Sequence, residues 1–111
     1  MLIETKTITV KEGTSDLVVN NFNRDGAIET FPGFIDLSVL VKRVRRGEEE
    51  VIVMIRWESE EAWKGWEKSE VHIAGHRESR GKPKPEHIIN VAHAMYDVKA
   101  QKGPVKADST I

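Results

Sequence analysis

Glu50-Val51-Ile52-Val53-Met54-Ile55-Arg56-Trp57 is the most apolar run in the chain. On an extended backbone Val51, Val53, Ile55 and Trp57 share one side, and Ile52 and Met54 share the other. β-branched and aromatic residues at that density predict a strand. A strand that is apolar on both sides is covered on both. Just before it, Arg45-Arg46-Gly47-Glu48 reads as a hairpin turn. Ile35, Leu37, Val39 and Val41 alternate along the strand that this turn would return from, and Pro32-Gly33 marks its start.

The same reading extends to both ends. Residues 2 to 10 alternate, with Leu2, Glu4, Lys6, Ile8 and Val10 on one face and Ile3, Thr5, Thr7 and Thr9 on the other. After Gly13, Thr14 or Ser15 can cap a helix that presents Leu17, Val18, Asn21 and Phe22 on one face and stops near Asp25-Gly26. Beyond the central run, Ser59 caps a helix with Glu60 and Glu61 in its first turn, where acidic groups favour the positive end of the dipole. Ser69 opens a second helical piece carrying His72, Ile73, His76 and Ser79. Gly81-Lys82-Pro83-Lys84-Pro85 cannot continue it. Residues 87 to 98 alternate as a last strand.

The order is β-α-β-β-α-β. It predicts an α+β, ferredoxin-like fold, an antiparallel sheet with the helices on one face. Helices on one face leave the second apolar side of residues 50 to 57 to another subunit, so a homodimer is expected. A chain of 111 residues is one domain, placed at 1–98, and the poorly apolar tail 99–111 is expected to be mobile.

Composition removes several function classes. With no cysteine there is no disulfide, thiolate zinc site or iron–sulfur cluster. The net charge of −1 gives no general attraction to nucleic acid, and Glu48-Glu49-Glu50 follow the basic Lys42 to Arg46 stretch at once. No stretch approaches the ~20 apolar residues of a membrane helix. No signal peptide is visible behind Met1, so the expected location is cytoplasmic.

Four histidines are present. His72 and His76 are four apart and would share a helix face, but HExxH is absent and zinc needs further ligands. For His72, His87 and His93 a solvated or hydrogen-bonded side chain is the expectation. His76 follows Ala74-Gly75, which flattens the helix beside its imidazole, and a planar ligand needs that clearance. Imidazole is the commonest proximal heme ligand. Trp63 and Trp66 lie on the helix before it, either as a roof over the sheet or as the wall of a flat pocket. His76 is expected to be buried beside them.

The segment from Trp57 through Trp63, Lys64, Gly65, Trp66 to Ser69, running on to Ala74-Gly75-His76, resembles the heme-degrading monooxygenases of the IsdG/HmoA type. These belong to the antibiotic-biosynthesis-monooxygenase superfamily of dimeric α+β barrels. The resemblance extends over residues 1 to about 98 and includes Phe22 to Thr30, Pro32-Gly33-Phe34 and Tyr96-Asp97. It implies a heme held between helices and sheet, as substrate and cofactor at once. His76 matches the axial iron ligand, Trp66 the aromatic that presses on and ruffles the porphyrin, and Phe22 the opposing wall. The implied reaction opens the ring with O₂ and electrons from a reductase or small reductant and releases iron. Members of the IsdG branch carry an asparagine on the first strand that hydrogen-bonds iron-bound oxygen, and matching back from Gly13 puts Lys6 there. An ammonium only donates. It can stabilise oxygen, pair with a heme propionate or turn away. Three other readings stand beside this one: a heme-binding module without turnover, a cofactor-free monooxygenase acting on an aromatic or quinol substrate, and a structural dimer without chemistry.

Overall fold

The computed structural model describes residues 1–105; part of the expected tail, 106–111, lies outside the described residues. Four strands form one antiparallel sheet: β1 (Leu2–Val10), β2 (Phe34–Val41), β3 (Glu49–Trp57) and β4 (Ile88–Asp97). Three helices connect them: α1 (Ser15–Phe22), α2 (Glu60–Glu67) and α3 (Glu70–Ser79), with a short 3₁₀ turn at Ile28–Thr30. The strand order is β2-β3-β1-β4, the ferredoxin-like arrangement that the alternation predicts.

The register explains the patterning. Val53 faces Lys6 on β1 and Val39 on β2, and Lys6 in turn faces His93 on β4. Directly opposed residues project to the same side, so these four lie in a row on the helix-covered face. The core on that face is Ile8, Val10, Val51 and Val53 with Val18 of α1, ringed by Phe22, Leu37, Val39, Ile55, Ile88 and Val91. Trp57 closes one end, fully buried, with the Phe34 ring edge-on at 5.8 Å. On the opposite face Ile52 and Met54 are only half-buried, since no layer among the described residues lies over them.

Several local expectations change. α1 ends at Phe22, short of Asp25, and Leu17 is 52% exposed while its neighbour Val18 is buried. Neither Thr14 nor Ser15 caps α1 with its side chain. The Thr14 hydroxyl donates to the Lys11 carbonyl, and the Ser15 N–H donates to Glu49 Oε1 on β3 at 2.9 Å. That bond holds the Glu49 carboxyl below its ordinary pKa. Ile35 leaves the alternation because the β2–β3 register shifts between Phe34 and Asp36. The Asp36 carboxylate left beside that irregularity accepts from the Arg56 guanidinium, with Nε at 2.8 Å. Ser59 and Ser69 do cap their helices, accepting from the N–H groups of Ala62 and His72 at 3.2 Å each.

Candidate active site

The break between α2 and α3 shapes the site. The Ser69 hydroxyl donates to the Trp66 carbonyl at 2.7 Å, and Ser69 N–H reaches the same oxygen at 3.0 Å. α2 stops there, and the capped α3 starts in a new direction. Trp66 and Glu67 from the end of α2 thereby come beside His72 and His76 on α3.

These four residues form one wall of a cavity of about 550 Å³. The floor and far side are Leu37, Val53 and Ile55 of the sheet, with Phe22, Ala27 and Ile28. Glu4, Lys6 and His93 on β1 and β4 supply a polar side. Such a mixture, mostly apolar with a few converging polar groups, is typical of a small-molecule site.

Trp66 is half-buried, and the Phe31 ring meets it edge-on at 5.3 Å. The Thr30 hydroxyl and the turn before it hold Phe31 in place. On its other side Trp66 meets the His72 ring at 5.0 Å, and His72 meets His76 at 4.5 Å with the planes at 76°. His72 Nε2 lies 3.1 Å from His76 Nε2 and 2.7 Å from Glu67 Oε2. Beside His76, a Cβ on Gly75 would meet nothing within 4 Å apart from its own helix backbone and chain neighbours, so the expected clearance is present. Lys6 faces the cavity rather than turning away, with Nζ 5.8 Å from the centroid of the Phe22 ring, within cation–π reach.

The structure brings together every residue singled out for the site: Lys6, Phe22, Trp66 and His76. One expectation about them fails. His76 is exposed, because α3 lies at the open rim of the cavity and no other element among the described residues lies over it. Two residues were also underrated. His72 is hydrogen-bonded, one of the two alternatives expected, but to partners inside the cavity wall, Glu67 and His76, with the Trp66 ring beside it. His93 is exposed, yet it lines the cavity by its register opposite Lys6. Trp63 takes no part here; it lines a separate hollow with Leu2 and Tyr96. Among the described residues no three histidine, aspartate or glutamate side chains are arranged to hold a bare metal ion, and no helix is long and apolar enough to cross a membrane.

The family model for antibiotic biosynthesis monooxygenases matches residues 1–78. This chain belongs to that family. Among the family's proteins, the heme-degrading monooxygenase HmoA of Bacillus subtilis is 54% identical to it over 102 residues, covering 92% of this chain and 94% of that one. A crystal structure from Bacillus cereus described as an antibiotic biosynthesis monooxygenase superposes with a TM-score of 0.84 at 66% identity, covering 95% and 97% of the two chains. A variant of MhuD, the heme-degrader of Mycobacterium tuberculosis, with two manganese protoporphyrin IX molecules bound per active site, gives a TM-score of 0.69 at 26% identity. That match covers 94% of this antibiotic biosynthesis monooxygenase family member and 100% of MhuD.

Proposed function

We propose that this protein is a heme-degrading monooxygenase, taking heme as both substrate and cofactor. The observation that carries the reading is the convergence of Trp66 and His76 on one largely apolar cavity between helices and sheet. The residues present fit the group. The volume falls in the range of about 300–1,000 Å³ usual for small-molecule sites. The open space at Gly75 leaves room for a flat ring beside an imidazole. The relatives named for heme degradation support the same substrate.

Bound heme supplies the oxygen chemistry, with dioxygen as oxidant and an external reductant as the source of electrons. This chain's own residues do the rest. His76 would offer a ring nitrogen to the iron of bound heme. Trp66, held by its contact with the Phe31 ring, would be a stiff wall pressing on the bound ring. Phe22, Ile28, Leu37, Val53 and Ile55 exclude water from the ring's face. Lys6 would offer its ammonium as a hydrogen-bond donor from the sheet side, at the place that matching back from Gly13 gives to the asparagine of the IsdG branch. The half-buried Ile52 and Met54 support a homodimer through the uncovered face of the sheet. The absence of cysteine fits a reducing cytoplasm. The tail beyond residue 98 is proposed to lie outside the catalytic unit.

The test is an anaerobic hemin titration followed by ascorbate and air. A Soret band is expected to grow to saturation, then to bleach as free iron appears. His76→Ala is expected to lose the imidazole-ligated spectrum. A Soret band that persists under reductant and oxygen, or a His76→Ala spectrum identical to wild type, would refute the reading.

A further inference from the structure

Lys6 is a half-buried cation that the cavity leaves without a counter-ion. Its ammonium meets the face of the Phe22 ring at 5.8 Å. Among the described residues it takes part in no ion pair. The carboxylates that share the cavity, Glu4 and Glu67, are both turned elsewhere. Glu4 Oε1 accepts from the Trp57 indole N–H at 3.4 Å. Glu67 Oε2 stands 2.7 Å from His72 Nε2 on the helix wall. The half-buried Arg56 on the other face of the sheet is matched, by contrast, by Asp36.

His93 completes a corner with Lys6. It is the residue directly opposite Lys6 in the β1–β4 register, and it lines the same cavity. Side chains paired in this way start about 5 Å apart on one side of a sheet. The His93 ring is exposed and makes no hydrogen bond to the described residues. A cation partly withdrawn from water is costly without a partner of opposite charge. A ligand that brings an anionic oxygen to Lys6 supplies one. A carboxylate suits this pair of donors, with one oxygen for the ammonium and the other for an imidazole N–H. His93 need not be charged for this, because a neutral imidazole still carries one N–H.

We propose that Lys6 and His93 form a carboxylate-binding corner that takes a propionate of the porphyrin, selecting ring ligands that carry the acid and fixing which edge of the ring lies against β1 and β4. The inference rests on the heme reading of the site and names the acceptor for the Lys6 ammonium. Heme carries its carboxylates along one edge. Phe22, Ala27, Ile28, Leu37, Val53 and Ile55 offer that edge no hydrogen-bonding side chain. Glu4, on the same face of β1, repels an acid placed on its side of Lys6 and leaves His93 as the second donor. The exposure of His93 keeps the bound acid partly in water, so it is not stripped of its whole hydration shell.

The experiment compares hemin with hemin dimethyl ester, whose acids are capped, by Soret titration of the heme-free protein in one buffer. Wild type is expected to bind hemin about tenfold more tightly than the ester, the scale of one hydrogen bond to a charged group. Lys6→Met keeps a stem on Phe22 without the ammonium, and His93→Leu removes the imidazole. Each is expected to weaken hemin and leave the ester as it was, so the preference collapses in the double variant. Free acetate should compete with hemin and not with the ester. Equal binding of hemin and ester by wild type overturns the inference, and that comparison needs no variant to fold. Variants that weaken both ligands alike overturn it as well, since lost packing then accounts for them. Acetate that tightens either ligand assigns the corner to a separate anion and overturns it too. A wild-type protein that gives no Soret band with either ligand overturns the heme reading, and the inference with it.

Discussion

Gly33→Ala tests how the site is held. Phe31-Pro32-Gly33-Phe34 is a tight turn closed by the Phe34 N–H to Phe31 carbonyl bond at 3.1 Å, with Gly33 at φ +87°. Proline second and glycine third is the pattern of a type II turn. The Gly33 carbonyl also accepts from Glu58 N–H at 2.8 Å, which seats the start of α2 on the turn. A Cβ on Gly33 would overlap the Cβ of Ala62 in α2. Two costs follow. The left-handed backbone costs an L-residue about 1–2 kcal/mol. Overlap in packed structure adds about 1–3 kcal/mol. The sum is centred on about 3.5 kcal/mol, or a fall in Tm on the order of 15 °C for a domain of this size. Relief of the overlap must push α2 outward, and Trp66 with it, so hemin affinity should fall together with stability. Urea unfolding of the apoprotein and a Soret titration measure the two. Ala62→Gly in the same chain removes the overlap but not the φ strain, and adds about 1 kcal/mol for glycine in a helix. It should therefore restore hemin binding better than it restores the unfolding midpoint. A Gly33→Ala protein within about 0.5 kcal/mol of wild type, the usual range for a neutral surface change, would refute this account of the turn.

Two further outcomes follow from single contacts. Trp66→Ala loses the rings of Phe31 and His72 as neighbours; being half-buried, it should cost about 1–2 kcal/mol, below the 3–5 of a buried tryptophan. Its hemin breakdown should slow more than its hemin binding weakens, and equal loss in both would remove the bending role. Hydrogen bonds from Arg56 hold the Asp36 carboxyl below its ordinary pKa, so the pair stabilises fully above the unfolded value of about 4 and loses that contribution as pH falls through the folded one. The stability gap between wild type and Asp36→Asn should therefore shrink from pH 6 to pH 3; a gap that stays constant or widens would contradict the assignment.

What could be read in the chain was local or periodic. β3 and β1 show in the alternation about Val51 to Trp57 and Leu2 to Val10, because sheet faces repeat every second residue. The caps at Ser59 and Ser69 are legible because donor and acceptor lie three residues apart. Trp66 and His76 stood out by resemblance, and the cavity places both. What escaped depends on residues distant in sequence or on a change of direction. The start of α1 is bonded by Glu49 on β3, so no local cap signals it. His72 acquires its partner only after the chain turns at Ser69 and returns it to Glu67. His93 enters the cavity wall through pairing with Lys6, a register that no window on β4 can reveal. The exposure of His76 depends on what lies over α3, which its own spacing does not encode.

β1 is hydrogen-bonded on both sides, to β3 and to β4, with Leu2 opposite Asp97 and Lys6 opposite His93. Of the four described strands, β1 is made before the others and waits longest for its last neighbour. Such end-to-end pairing gives a high contact order, and loop-closure entropy must be met before the contacts reward it. Until β4 docks, one edge of β1 is open for pairing with another chain. The charged and threonine side chains of β1, Glu4, Thr5, Lys6, Thr7 and Thr9, are the sort that discourage such pairing. The polar side of the cavity, where His93 joins Glu4 and Lys6, is assembled in that same step, so a nascent chain has no complete cavity to offer until β4 is in place.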